Sequence, residues 1–269
     1  MIQWYPGHMA KAKREIEEKL RFVDIVYELV DARIPSSSRN PMINDILKNK
    51  QRLILMTKAD MTDVHEAKKW EKTFNAPVLL IDSISGLNIN KIVAISNDIL
   101  KEKFEKEKAK GLKARPIRCM IVGIPNVGKS TLINKLVKKK VTIVGNKPGV
   151  TKAQQWVRIN QNLELLDTPG VLWPKFEDPK VGIHLALTGA IKNELLRIED
   201  LVLYLLDFLK KYYPKLLQER YNVLEEDNIT ILKKVAKDRG LSDEERAMEL
   251  ILNEYRANKI GKICLDRHD

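Results

Sequence analysis

The chain has 269 residues, 44% of them hydrophobic, enough for one large domain or two ordinary ones. A formal net charge of +12 favours an anionic partner, nucleic acid first and a membrane surface second, although a lysine-rich solubilising surface explains the same excess. Two cysteines exclude a disulfide framework. No apolar run approaches the ~20 residues of a membrane span, so we expect a cytoplasmic protein without a membrane partner.

Strand-like and helix-like segments alternate through the first two thirds of the chain. Helices are predicted over 9–21, 42–50, 64–74, 88–110 and 128–136, and strands over 22–30, 53–56, 77–81, 118–123, 154–159 and 163–167. This alternation predicts a mostly parallel sheet with helices on both faces. Residues 108–116 (KAKGLKARP) are predicted to be a connector.

Beyond about residue 175 the apolar spacing becomes helical throughout. Ser242 and Glu245 fit a capping box, and Gly240 and Gly261 fit helix C-terminal caps. We therefore predict an all-α domain over 175–269, with a role in RNA binding.

Residues 123–130 (GIPNVGKS) match the phosphate-binding loop pattern G-x-x-x-x-G-K-[ST] between a strand and a helix. The expected phosphate contacts come from this loop and the helix start, namely Asn126, Val127, Gly128, Lys129, Ser130 and Thr131. Lys129 is expected to reach the β- and γ-phosphates, and Ser130 to bind Mg²⁺. The alternative is a glycine-rich strand-to-helix turn.

Two later segments are candidates for γ-phosphate switches. Asp167 ends a predicted strand in DTPG; its carboxylate is suited to Mg²⁺, and the Gly170 amide to the γ-phosphate. Thr151, in GNKPGVTK, is the candidate for closing over Mg²⁺, ahead of Thr142. The alternatives are an ordinary turn and a plain loop threonine.

The stretch LILMTKADM places Thr57, Lys58 and Asp60 directly after a hydrophobic strand. A carboxylate at Asp60 accepts two hydrogen bonds from guanine N1–H and N2–H, which adenine does not offer. Lys58 can lie along the ring, and the amides of Ser83–Ser85 are weaker candidates for the last base contact. Thr57 stands where asparagine is usual, which predicts a weaker link to the phosphate loop. The alternative is a polar loop after a strand.

The base loops precede the phosphate loop, and the switches follow it. A Ras-like domain cut after switch II and rejoined through 108–116 has this order. We therefore predict an α/β fold: a circularly permuted Ras-like P-loop GTPase domain (G4-G5-G1-G2-G3) over 1–174, with an N-terminal extension over 1–21, followed by the all-α domain.

These motifs, with WYPGHMAKA, VDARIP, SRNP, PGVTK and DTPGVLWP, resemble those of the circularly permuted GTPases of the YlqF/RbgA type along nearly the whole chain. The resemblance implies a cytoplasmic GTPase that uses GTP/GDP and Mg²⁺ and assists assembly of the large ribosomal subunit through rRNA and ribosomal proteins. We expect a monomer that is slow alone and stimulated by the subunit. The alternative is an RNA-binding scaffold with a vestigial nucleotide site.

Ras-like enzymes orient water with a Gln after the switch II glycine, but Val171 occupies that position here. The permutation brings residues 1–20 towards switch II, so His8 is the internal candidate for holding the water; in the family, the histidine of PGHM is a proposed catalytic group. Asn126 resembles the residue with which some GTPases bind K⁺, with a turn-forming asparagine as the alternative. Six lysines without an acid between 135 and 152 are suited to rRNA phosphates.

Overall fold

The computed structural model describes residues 6–47, 50–137, 142–144, 156–166, 178–191, 196–223 and 227–268; side chains are not described for 6–12, 42, 142–144 and 156–157. Its helices are α1 (Pro6–Leu20), α2 (Pro41–Leu47), α3 (Val64–Lys69), α4 (Lys91–Ala109), α5 (Lys129–Leu136), α6 (Pro179–Leu187), α7 (Ile198–Tyr212), α8 (Pro214–Tyr221), α9 (Asn228–Asp238) and α10 (Glu244–Arg256). Its strands are β1 (Ile25–Asp31), β2 (Arg52–Thr57), β3 (Val78–Leu80), β4 (Ile117–Gly123), β5 (Thr142–Val144), β6 (Trp156–Asn160) and β7 (Leu163–Leu166).

The strands form one sheet in the order β3-β2-β1-β4-β7-β6-β5. Pairing is parallel from β3 to β7, whereas β6 and β5 are antiparallel additions at one edge. Parallel neighbours place the loops after β1, β2 and β4 along one edge of the sheet. The mostly parallel sheet is confirmed, but β5 lies in a stretch that the sequence pattern assigned to a loop.

Helices cover both faces, because alternate strand residues point in opposite directions. On one face Tyr27 and Ile121 share a core with residues of α4, α5 and the C-terminal helices. On the other, Val26 and Leu166 pack with Ile16 of α1. The N-terminal helix therefore packs on the same face of the sheet as Leu166, the last residue of β7.

The C-terminal third is helical, as predicted, and it packs into the larger core of the sheet. The predicted capping box is wrong in detail: Asp243 caps α10 by accepting from the Arg246 amide at 2.9 Å, and Ser242 donates to Asp243. Gly240 does follow α9 with φ 63°. Gly261 caps no helix, because Asn258, with φ 57°, takes the left-handed position after α10.

The domain division at 174/175 remains a prediction, since residues 167–177 are outside the described part. Among the described residues, no helix is long and apolar enough to cross a membrane.

Candidate functional site

The predicted base loop and phosphate loop meet at the carboxyl edge of the sheet. β1 separates β2 from β4, yet a Cβ added at Gly128 would lie 4.0 Å from Thr57 Cβ. The two motifs, some 70 residues apart in sequence, thus form one pocket.

The phosphate loop has backbone geometry that needs particular residues. A Cβ on Gly123 would lie 2.8 Å from Leu29 O, so no larger residue fits against β1. Asn126 has φ 56° and Gly128 has φ 105°, both in the left-handed region. These turns bring the chain into the first turn of α5, where no described side chain caps the helix. The uncapped amides and the helix dipole together suit an anion.

The side chain of Lys129 folds back towards the start of the phosphate loop. Its ammonium donates to Gly123 O at 2.9 Å and to Ile124 O at 3.0 Å. Burial lowers the pKa of Lys129 to about 8, with no carboxylate contributing to the shift. Phosphate oxygens would restore the charge stabilisation that burial removes. Ser130 and Thr131, the next two residues of α5, are both exposed.

Thr57 joins the base loop to the phosphate loop directly. Its hydroxyl lies 2.7 Å from Val127 O and 3.1 Å from Val30 O. The short threonine reaches Val127 O because the loops are close. That this link is weaker than one made by asparagine stays a prediction.

Lys58 makes a second link between the loops. It has φ 60°, and its ammonium donates to Asn126 O and to Asp31 Oδ2, both at 2.8 Å. Burial lowers the pKa of Lys58, and Asp31 opposes that shift. With its head fixed at the phosphate loop, the lysine stem spans the distance between the two loops.

Asp31 and Arg33 organise this junction, and no role was derived for them from the sequence beyond the resemblance. Arg33 binds both Asp31 oxygens, at 3.0 and 2.7 Å. Burial would raise the pKa of Asp31, but Arg33 and Lys58 outweigh it and hold the pKa well below its usual range. The available signal was position: Asp31 ends β1, between the two strands that carry the motifs.

Asp60 lies in a short 3-10 turn, Ala59–Met61, right after Lys58. Burial and the charge of Asp82 raise the pKa of Asp60. Asp82 orders the neighbouring loop by accepting from the amides of Ile84 and Ser85, both at 2.8 Å. Two of the three candidate base-contacting amides are thus engaged; in the described part of the chain, the Ser83 amide has no hydrogen bond.

The helical part touches the pocket at both ends. The Asn126 amide donates to Gly189 O at 2.7 Å, after α6, and the Asn258 amide donates to Asp60 O at 3.2 Å, after α10. Arg33 also donates to Thr188 O at 3.3 Å. The partners in these hydrogen bonds are 63 to 198 residues apart in the sequence, and no local motif predicts the contacts.

The remaining predicted site residues cannot be placed. Thr151, Asp167 and Gly170 lie outside the described residues, and the side chain of His8, which is within α1, is not described. Among the described residues, no cluster of His, Cys, Asp and Glu could hold a metal ion.

Comparison with protein families matches residues 118–253 to the family of 50S ribosome-binding GTPases. The match begins at β4 and omits the base loop, which the permutation has moved ahead of it. It also continues into the helical part.

Relatives match along most or nearly all of the chain. Ribosome biogenesis GTPase A of Bacillus licheniformis is 51% identical over 278 residues, covering 99% of this chain and 98% of that protein. Mitochondrial ribosome-associated GTPase 1 of Mus musculus is 36% identical, covering 79% of this chain and 68% of that one.

Two solved structures share the fold. GNP-bound YlqF from T. maritima is 26% identical with a TM-score of 0.65, covering 96% of this chain and 98% of that chain. GDP-bound TM YlqF is 25% identical with the same TM-score of 0.65, and the match covers 94% of this chain and 99% of that chain. The predicted permuted fold is thereby confirmed.

Proposed function

Because this chain belongs to the ribosome biogenesis GTPase A family, we propose that it is a GTP-driven assembly factor for the large ribosomal subunit. It is a GTPase, converting GTP to GDP and phosphate. The observation that carries the proposal is the double link between base loop and phosphate loop, Lys58 to Asn126 O and Thr57 to Val127 O. One pocket therefore reads the base and holds the phosphates.

Guanine selection follows from Asp60. Its carboxylate accepts from N1–H and N2–H of guanine, and an adenine would leave it partly buried and unpaired. The Lys58 stem packs along the ring, with its ammonium held by Asp31 and Asn126 O. The Ser83 amide supports a third contact, to the guanine carbonyl.

The phosphates are bound by the first amides of α5 and by Lys129. A resident Mg²⁺ fits this end of the pocket in its donor chemistry, because the Ser130 hydroxyl is exposed on the first turn of α5 and hard cations take oxygen ligands. Asp167 and Thr151 would complete the oxygen set. When bound, the ion supplies charge neutralisation at the β- and γ-phosphates.

Asn126 fits both interpretations given to it from the sequence, a turn-forming asparagine and a K⁺ ligand. The positive φ is that of a turn-forming asparagine. Its amide nitrogen is held by Gly189 O, which leaves the side-chain oxygen to face a cation such as K⁺. We propose this oxygen as a potassium ligand beside the phosphates.

Water activation needs a group other than Val171. His8 lies in α1, whose Ile16 belongs to the same buried cluster as Leu166, the residue before Asp167. This shared cluster supports His8 as the residue that orients the attacking water. We propose that hydrolysis is slow until binding to the large subunit orders this region.

The route from nucleotide to partner runs through the helical part. The predicted switch II precedes α6 in the sequence, and Gly189 and Asn258 contact the phosphate and base loops. A change at the γ-phosphate therefore alters the helices that we propose contact rRNA and ribosomal proteins. We propose a monomer acting in the cytoplasm.

Co-sedimentation with purified large subunits tests the proposal. A non-hydrolysable GTP analogue should increase the fraction bound relative to GDP, and Lys129→Ala should abolish the difference. A fraction bound that ignores the nucleotide would instead support the RNA-binding scaffold with a vestigial nucleotide site.

A further inference from the structure

The base loop turns sharply at Lys58, whose φ of 60° lies in the left-handed region. This conformation is unfavourable for a residue that carries a Cβ. The turn therefore depends on contacts from outside the loop. One of them comes from the sheet side, where the Ala59 amide donates to Ile81 O at 3.2 Å. Another comes from the helical part, through Asn258.

Asn258 is fixed in position by the way α10 ends. Its φ of 57° is left-handed, and its backbone N–H donates to Tyr255 O at 3.0 Å. The following amide, that of Lys259, donates to Glu254 O at 2.8 Å. These two hydrogen bonds form a Schellman motif, which ends the helix at a defined residue. The backbone that carries the Asn258 side chain is consequently fixed relative to α10.

The side chain of Asn258 reaches the base loop. Its Nδ2 donates to Asp60 O at 3.2 Å, whereas its Oδ1 is buried and has no hydrogen-bond partner among the described residues. A buried oxygen without a partner costs free energy. Glycine would form the same turn after α10 without that cost, so the hydrogen bond to Asp60 is what this side chain adds.

The chain just beyond Asn258 also acts on the Asp60 carboxylate. Burial and the charge of Asp82 raise the pKa of Asp60, and the positive charges of Lys262 and Arg33 oppose that rise. Lys262 is exposed and lies four residues after Asn258 in the sequence. One short segment after α10 thus supports both the main chain and the charge of Asp60.

α10 is joined to the helix that contacts the phosphate loop. Arg256, the last residue of α10, donates from Nε to Leu187 O at 3.0 Å, where α6 ends. Two residues further along, Gly189 O accepts from the Asn126 side chain. The contact of α10 with the base loop and the contact after α6 with the phosphate loop therefore belong to one connected pair of helices.

We propose that Asn258 is a positioning residue of the guanine site, holding the Asp60 main chain so that the carboxylate meets N1–H and N2–H of guanine together. The helical part is then a third support of base recognition, beside the loops that follow β2 and β3. This deepens the proposed function and rests on its assignment of Asp60 to guanine. By linkage, a partner that draws α10 away from the base loop lowers guanine-nucleotide affinity.

The test is a fluorescence titration of the full chain with N-methylanthraniloyl derivatives of GDP and IDP. Inosine lacks N2–H and so offers Asp60 one hydrogen bond fewer. Asn258→Gly keeps the left-handed turn and removes the side-chain amide. It should lower GDP affinity about fivefold, a factor typical of one hydrogen bond, and IDP affinity less, so that the preference for GDP over IDP falls.

Asn222→Gly is the matched control. Asn222 follows α8 in the same left-handed conformation, with φ 56°, and it is exposed. This variant should keep both affinities of the unmutated protein, and thermal unfolding should show that both glycine variants are folded. Asn258→Asp is a second variant, because aspartate tolerates the turn but has no side-chain N–H to donate. It should lose the same preference.

A double-mutant cycle separates positioning from general damage to the fold. Asp60→Ala removes the carboxylate, so adding Asn258→Gly to it should lower GDP affinity no further. An equal loss with and without the carboxylate, or an unchanged preference for GDP over IDP in Asn258→Gly and Asn258→Asp, would overturn the proposal alone. Unchanged GDP affinity in Asp60→Ala would overturn the guanine assignment, and this proposal with it.

Discussion

Lys129 has a pKa near physiological pH, because it is buried among carbonyl oxygens without a carboxylate. In the nucleotide-free protein, Lys129 loses its proton as the pH rises through about 8. In the complex with GTP, the phosphates would keep Lys129 protonated. GTP affinity should therefore be constant below this pH and should fall as pH rises above it.

The same linkage predicts proton uptake on binding, about half a proton at pH 8. Calorimetry in two buffers of different ionisation enthalpy at that pH measures it. Lys129→Arg is the control, because arginine stays charged and should show no uptake. Binding enthalpies that do not depend on the buffer would contradict the assignment of Lys129 to the phosphates.

Asp60 is the residue that we propose selects the base. The unmutated protein should bind GTP over ATP by orders of magnitude, because adenine leaves the carboxylate unpaired. Asp60→Asn should shift the preference to xanthine nucleotides, whose C2 oxygen accepts from the new amide. Titrations with the three nucleotides measure this, and equal affinity of the unmutated protein for GTP and ATP would rule out the guanine site.

At the scale of elements, the Thr57 hydroxyl supplies one of the two links between the loops after β2 and β4. Thr57→Val keeps the side-chain shape but leaves Val127 O without this donor. Stability should fall by about 1 kcal/mol, and GTP affinity should fall with it, because the two loops lose their register. Chemical denaturation and nucleotide titration measure the two effects.

Thr62→Val is the matched control. Thr62 is equally buried, but its hydroxyl donates to Ala32 O at 2.7 Å, outside the phosphate loop. It should lower stability to a similar degree while leaving GTP affinity unchanged. An equal loss of affinity in both variants would mean that Thr57 is a structural residue only.

The motif residues could be predicted from sequence, but their partners could not. GIPNVGKS and TKAD are recognisable from residue types at fixed positions within a short stretch. The parallel sheet then brings their loops to one edge. The hydrogen bond from Thr57 to Val127 O could not be predicted, because the sequence does not show how closely Val127 approaches. Asp31, Gly189 and Asn258 act through contacts set by the packing of distant segments.

The element α1 leads to a prediction about catalysis. His8→Ala should leave GTP affinity nearly unchanged, because the imidazole would hold the water and not the nucleotide. It should remove most of the subunit-stimulated rate, whereas Lys129→Ala should damage binding itself.

His65→Ala is a second control, since His65 is exposed on α3. Single-turnover phosphate release with large subunits present measures all three variants. A His8→Ala rate equal to that of the unmutated protein would mean that the water is held elsewhere, by backbone, a cation near Asn126 or rRNA.

At the scale of the whole molecule, the permutation explains how the parts are joined. In the usual order, switch II continues into the next helix and strand of the same sheet; here it continues into α6 and the helical part. The helices in turn reach back to both ends of the pocket through Gly189 and Asn258. The loops of the candidate nucleotide site and the helical part are consequently connected by the chain and by hydrogen bonds.

The most direct test of this account is the GTP hydrolysis rate with and without purified large ribosomal subunits. The protein alone should be slow, because Val171 cannot orient water. Large subunits should raise the rate saturably, and groups that position water or stabilise charge in related sites contribute up to ~10³–10⁵-fold. Small subunits should have no effect. A rate that is the same with saturating large subunits as without them would contradict the claim that the subunit completes this active site.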